Sequence, residues 1–209
     1  TRVMFAAHEA AAPHASAPLA RAWRDGLPAA LRTPLRNVAE NLATPVRLFN
    51  DMMQGKPRRA GDSFMRLVLN STLGLGGVFD VATGLGWPAH ETDFSITLAL
   101  WGVPPGPYVV IPLLGPSEAR SLLRYPVEVA LMPATFADAP LAFRIIDSGG
   151  VGVEALETRA GLIETVDQVH ARALDPYATF RSLWRQNHEA RIAATRADHR
   201  ATTPAWFTP

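Results

Sequence analysis

Six histidines and nineteen carboxylates are the side chains from which acid–base, metal or nucleophilic chemistry would have to be assembled, and their spacing argues against most of it. His8-Glu9 has no second histidine four residues on, and His188-Glu189 leads to no ligand pair, so neither builds the two-imidazole helical face of a zinc hydrolase. Cysteine is absent, which removes disulfides, thiolate ligands and cysteine nucleophiles together. No G-x-S-x-G elbow occurs and no serine has a base beside it, so an acyl-transfer triad is not expected. The Gly-rich string Asn70 to Asp80, NSTLGLGGVFD, has Phe79 where the dinucleotide fingerprint needs its third glycine, and no Lys-Ser/Thr pair follows. It is either a phosphate cradle or a corner where helices approach closely. His90, Glu91 and Asp93 form a polar cluster, read either as an acid/base pair or as a solvated loop at a membrane or partner boundary. The expectation is a non-enzyme with no metal and no cofactor.

The most informative stretch carries no charge at all. Phe94 to Ser117, FSITLALWGVPPGPYVVIPLLGPS, spans 24 residues with five prolines and three glycines. Its length suits a bilayer, but a spanning helix needs about 20 residues of unbroken intrahelical bonding, and each proline removes a donor and clashes with the preceding turn. The segment must bend, and bent apolar backbone at membrane depth is tolerated only against protein or along a cavity. Phe94, Leu98, Trp101, Tyr108, Val110, Leu113 and Leu114 are therefore expected either to line an apolar passage, with Trp101 and Tyr108 placed as interfacial anchors, or to pack as ordinary core.

The elements that must hold this stretch are helical. Thr44-Pro45, Lys56-Pro57 and Asp175-Pro176 each read as a cap followed by proline at the first helical position. Val46 to Gly55 and Pro57 to Gly74 are expected to form two short antiparallel helices. Leu156, Ala160, Ile163, Val166 and Val169 make one face of a helix from about Glu154 to His170. A last helix starts at Asp175 and fades beyond Trp184 into a basic tail, 185–209. Only Tyr108 to Ile111 reads as strand, so the fold class is all-α in a single domain, 1–209, with 1–27 as its N-terminal segment. A net charge of +1 and a pI near 8.2 are too weak for a nucleic-acid partner. The chain opens on Thr1 with no leader pattern, so a targeting segment is expected to lie outside it.

Asn50 to Lys56 (NDMMQGK), Asn70 to Asp80, Trp101 to Ser117 (WGVPPGPYVVIPLLGPS) and Leu174 to Tyr177 (LDPY) occur in an order and spacing that resemble the MlaA (VacJ) outer-membrane lipoproteins. Where that family carries Phe-Gly-Gln-Thr-Leu-Gly, this chain has Phe94-Ser95-Ile96-Thr97-Leu98-Ala99. The resemblance implies a ring of helices in or on the periplasmic leaflet of a Gram-negative outer membrane. Its central channel would take mislocalised phospholipid from the outer leaflet to a periplasmic lipid carrier, with a porin trimer or another membrane complex as partner. It also makes 83–117 the hairpin and apolar segment bordering the channel, with Gly84, Gly86 and Pro88 as lid hinges. Arg66 and Arg120 are the expected head-group contacts, because guanidinium pairs with phosphate in a forked geometry. The alternative is a scaffold subunit of a larger membrane complex that reuses the fold with a vestigial channel.

Overall fold

The computed structural model describes residues 2–12, 14, 16–111, 115–132 and 141–198, apart from the side chains of 142–148. Leu113, Leu114 and the last part of the tail, 199–209, lie outside these residues. Eleven helices and one hairpin are described: α1 Arg2–Ala11, α2 Ser16–Gly26, α3 Ala29–Met53, α4 Pro57–Thr72, α5 Val81–Gly84, α6 Phe94–Leu100, β1 Tyr108–Ile111, β2 Gly115–Glu118, α7 Ala119–Leu122, α8 Arg124–Leu131, α9 Leu141–Gly161, α10 Ile163–Arg172 and α11 Pro176–Ala197. Contacts run from α3 to α6, α6 to α11, α11 to α10, α10 to α9 and α9 back to α3, closing a circuit of five helices. In addition α4 lies along α3, and α2 lies along α9.

Two of the three expected helix starts are found. Pro57 opens α4, and Asp175 caps α11 by accepting from the Ala178 amide. The third is not a start, because α3 runs through both Pro34 and Pro45. Each internal proline costs about 3 kcal/mol locally, which packing along α4 and α9 offsets. The helix expected over 154–170 instead begins at Leu141 and breaks after Gly161, where α10 takes over. The helix expected to fade after Trp184 continues to Ala197. It is held there by the buried Thr195 and by Lys56, whose Nζ donates to the carbonyls of Arg196 and Asp198.

The 94–117 stretch is bent, as its prolines require. It forms the short helix α6, turns at Gly102 with φ 87°, and enters the antiparallel pair β1–β2 in the register Tyr108↔Glu118 to Ile111↔Gly115. No helix among the described residues is long and apolar enough to cross a membrane. The Gly-rich corner after α4 is a close approach rather than an open cradle: Gly77, at φ 100°, lies so near α3 that a Cβ would sit 2.6 Å from the Asn41 Cβ.

The α3–α4 pair is built inside out. Asn41, Asn50, Asp51, Arg59, Asp62, Ser63, Arg66 and Asn70 are buried, whereas Met52, Phe64, Leu73, Leu75 and Phe79 are all more than half exposed. Met52 of α3 and Phe64 of α4 therefore point outward, as do Leu73, Leu75 and Phe79 just beyond α4. Among the described residues, buried apolar side chains cluster at Ala20–Trp23–Ala160–Ile163 and at Tyr108–Val110–Tyr177, and Ile96 and Leu98 of α6 are buried as well.

Candidate functional site: an amphipathic pair of hollows

Asp93 is where the site begins. Its extended backbone (φ −154°, ψ 172°) places the carboxylate over the first turn of α6, where Oδ1 accepts from the Ile96 amide at 3.0 Å and from the Ser95 hydroxyl. Oδ2 accepts from Arg191 at 3.1 Å and Arg124 at 3.4 Å, so one buried carboxylate joins α6, α8 and α11. Burial alone would raise its pKa. The two guanidiniums and the Ser95 and Ile96 hydrogen bonds outweigh that and hold it below the usual range. Each arginine has a second partner, Glu91 for Arg191 at 2.9 Å and Glu128 for Arg124 at 3.3 Å.

Two hollows meet at this junction and share Asp93, Arg124 and Tyr125 as a common wall. The first, about 70 Å³, is polar, with Ser95, Ser117, Ser121, His188 and Arg191 around it. The second, about 150 Å³, is mainly apolar, bounded by Ala39, Leu42, Ala43 and Val46 of α3, Val129 of α8 and Val151 of α9. A polar basin and a greasy slot thus adjoin across one ion-paired partition.

His188 stacks on Trp184 with ring centroids 5.0 Å apart and an interplanar angle of 14°. Burial pushes its pKa down to about 4; Asp93 opposes this, while Arg120, Arg191 and Arg124 add to it. Because the folded value lies below the ordinary 6.5, the unfolded chain takes up the proton first as pH falls. Stability contributed by neutral His188 is therefore complete above 6.5 and declines toward pH 4. Unfolding free energy measured across that window should drop on the order of 2 kcal/mol, allowing for solvent screening, and His188→Gln should flatten the drop.

The residues expected at the site are placed differently. Phe94 is half-buried and meets Trp101 edge to face at 6.3 Å, and Leu98 is buried. Trp101 is exposed, its indole donating to the Met53 carbonyl at 2.9 Å. Tyr108 and Val110 belong to the aromatic cluster with Tyr177. None of these five borders either hollow. Arg66 binds Thr83, the Trp87 carbonyl and Asp80, and Arg120 binds the Val103 carbonyl and Glu118; both are engaged inside the fold and border neither hollow. The polar trio also divides. Asp93 is buried, the Glu91 side chain is exposed, and His90 Nε2 lies 2.8 Å from Asp51 Oδ2.

Ser63 joins that last pair, donating to Asp51 at 2.7 Å with His90 Nε2 at 3.4 Å. The grouping is not a hydrolytic relay, since a relay needs the carboxylate and the hydroxyl on opposite ring nitrogens and here both face Nε2. It is a brace. Together with Arg59 to the Glu91 carbonyl, Gln54 to Thr92, and Arg66 to the Trp87 carbonyl, it ties the irregular segment 87–92, which follows Gly84 and Gly86 and contains Pro88, to α3 and α4. The NDMMQGK string thereby acquires a physical role, supplying Asp51 and Gln54 to these tethers, Asn50 as acceptor for Thr97, and Lys56 at the end of α11.

The apolar wall had a signal that was missed. Ala39, Leu42, Ala43 and Val46 form a helical stripe, but reading Pro45 as a helix start cuts it in two. Arg191 lay in the tail expected to fade, and nothing in the sequence distinguishes Arg124.

Comparison with known proteins gives the same architecture. A solved chain described under the structural basis for maintenance of bacterial outer membrane lipid asymmetry superposes with a TM-score of 0.71 at 30% identity, covering 91% of this chain and 95% of that one. The intermembrane phospholipid transport system lipoprotein MlaA of Escherichia coli is 32% identical over 180 residues, 85% of this chain and 69% of that protein. Its Haemophilus influenzae counterpart is 29% identical over 177 residues, 84% of this chain and 69% of the relative. An uncharacterized protein of Rickettsia felis is 30% identical over 176 residues, 84% and 68% respectively. The MlaA lipoprotein family model matches residues 1–191, and on these grounds the chain belongs to the MlaA lipoprotein family.

Proposed function

We propose that this chain translocates phospholipid at the outer membrane of a Gram-negative bacterium, withdrawing it from the outer leaflet and passing it to a periplasmic lipid carrier, docked beside a porin trimer or another membrane complex. The observation that carries this reading is the shared partition of Asp93, Arg124 and Tyr125, with a polar hollow on one side and an apolar one on the other. A phospholipid crossing protein needs both at once, because its charged head is costly away from polar partners and its tails are costly in water. No bond is made or broken. The inside-out α3–α4 pair supports residence in a leaflet, since polar groups there must be satisfied within the protein while apolar side chains face the acyl chains. Leu98 and Val110 would back the passage from behind, and exposed Trp101 would sit at the leaflet boundary. A lid motion at Gly84, Gly86 and Pro88 would have to release the tethers from Asp51, Gln54, Arg59 and Arg66.

One observation favours a second reading. The hollows, about 150 Å³ and 70 Å³, are smaller than the roughly 300–1,000 Å³ of ordinary ligand sites, as a scaffold subunit with a vestigial channel would have them. The two readings separate on Val46→Asp combined with Val129→Asp. Translocation predicts that these charges in the slot cut removal of outer-leaflet phospholipid by about tenfold or more, measured by labelling surface lipid amines with a membrane-impermeant reagent. A scaffold would tolerate them, with surface lipid and partner co-purification both unchanged.

A further inference from the structure

The polar hollow contains donors that the fold leaves unused. Ser121 and His188 are both 5% exposed, and Ser121 Oγ and His188 Nε2 make no hydrogen bond; the nearest carboxylate to that nitrogen, Glu118, stands 3.5 Å away. The Nε atoms of Arg124 and Arg191 also lack hydrogen bonds, although each lies near a carboxylate. Buried polar atoms without hydrogen bonds are uncommon and costly, and Ser121 Oγ and His188 Nε2 beside one hollow mark a place shaped for an acceptor-rich group. Arg124 and Arg191 share Asp93 and take Glu128 and Glu91 as second partners, which holds both guanidiniums beside the hollow.

We propose that this hollow is a phosphate subsite, in which the phosphodiester of a phospholipid accepts hydrogen bonds from Arg124, Arg191, Ser121 and His188. The inference rests on the translocation reading above and adds where the head group halts. Forked guanidiniums match phosphate oxygens. A neutral imidazole offers an N–H donor to them when Nε2 carries the proton, and the lowered pKa of His188 keeps it neutral. At about 70 Å³ the hollow holds several water-sized groups, enough for a phosphate and too little for an acyl chain. The adjoining apolar slot starts at Arg124 and Tyr125, so the tails of the same molecule have somewhere to go. That continuity points to an esterified lipid rather than free phosphate.

The test measures binding of three probes to the full chain in non-ionic detergent by titration calorimetry: dihexanoylphosphatidylglycerol, dihexanoylglycerol and glycerol 3-phosphate. Ser121→Ala, Ser121→Val and Arg191→Gln are compared with the parent chain, with folding checked by circular dichroism. Binding of the phosphatidylglycerol is expected to fall about tenfold with Arg191→Gln and with Ser121→Val, and by a smaller factor with Ser121→Ala, while dihexanoylglycerol binding stays put. Equal binding of the two lipids, indifferent to all three variants but lost in Val46→Asp, would overturn the subsite and leave the passage standing. Glycerol 3-phosphate bound as tightly as the phosphatidylglycerol would assign the hollow to free phosphate esters and overturn the lipid assignment. Failure of both lipids to bind would remove the translocation reading and the subsite with it.

Discussion

Asp93→Ala is expected to destabilise the protein by about 3–5 kcal/mol, the scale on which removing one partner of a buried ion pair leaves the other charge uncompensated. Three losses coincide there. The α6 helix loses the cap that holds the Ile96 amide, itself worth about 1 kcal/mol, and Arg124 and Arg191 lose their common carboxylate and face each other. Asp93→Asn separates these contributions, since asparagine caps well while carrying no charge, so urea unfolding should rank the chains wild type, Asn, then Ala. The pH dependence follows with a definite sign. The folded pKa of Asp93 is depressed below 3.8, so its contribution is present above the unfolded value and is lost as pH falls through the lower folded one. In Asp93→Asn this acid-side loss should shrink.

The second large effect is expected at Asp51, which is fully buried and accepts from Ser63 while facing His90 and, at 3.6 Å, Arg59. Asp51→Ala should cost a similar 3–5 kcal/mol, but the damage should spread in a particular direction. Because Asp51 is one of the α3–α4 side chains that hold residues 87–92, its loss should raise amide hydrogen exchange across that segment before it does so in α9 or α10. Uniform acceleration throughout the chain would refute the tethering described here. Asp51→Asn retains a hydrogen-bond acceptor for Ser63 and should open the segment less.

These two carboxylates also show which parts of the molecule were legible beforehand. Local rules worked where a short-range bond decides the outcome: Lys56-Pro57 starts a helix, Asp175 caps one, and the 94–117 stretch turns at Gly102 just ahead of Pro104 and Pro105. They failed where distant packing overrides them, at Pro45 inside α3 and at the tail of α11, which is steadied by Asp93 from 98 residues away. The site itself was the least readable part. Its polar partition combines residues from 93, 124 and 191, and no periodicity links positions that meet only after the helices close their circuit. Its apolar wall was written in α3 as a clear stripe, yet the competing proline signal hid it. The outward apolar faces of α3 and α4 were visible as patterns, but periodicity reports that a helix has two sides without saying which one meets solvent.

That reversal sets soluble expression against biological use. Exchanging Phe64, Leu73 or Phe79 for polar residues would ease handling in detergent-free buffer, because in water these side chains only promote self-association. On the leaflet residence proposed above, the same exchanges would strip away surface that acyl chains contact. A version optimised for the test tube and one retained by a bilayer are therefore different molecules, and the divergence begins at the outer face of α4.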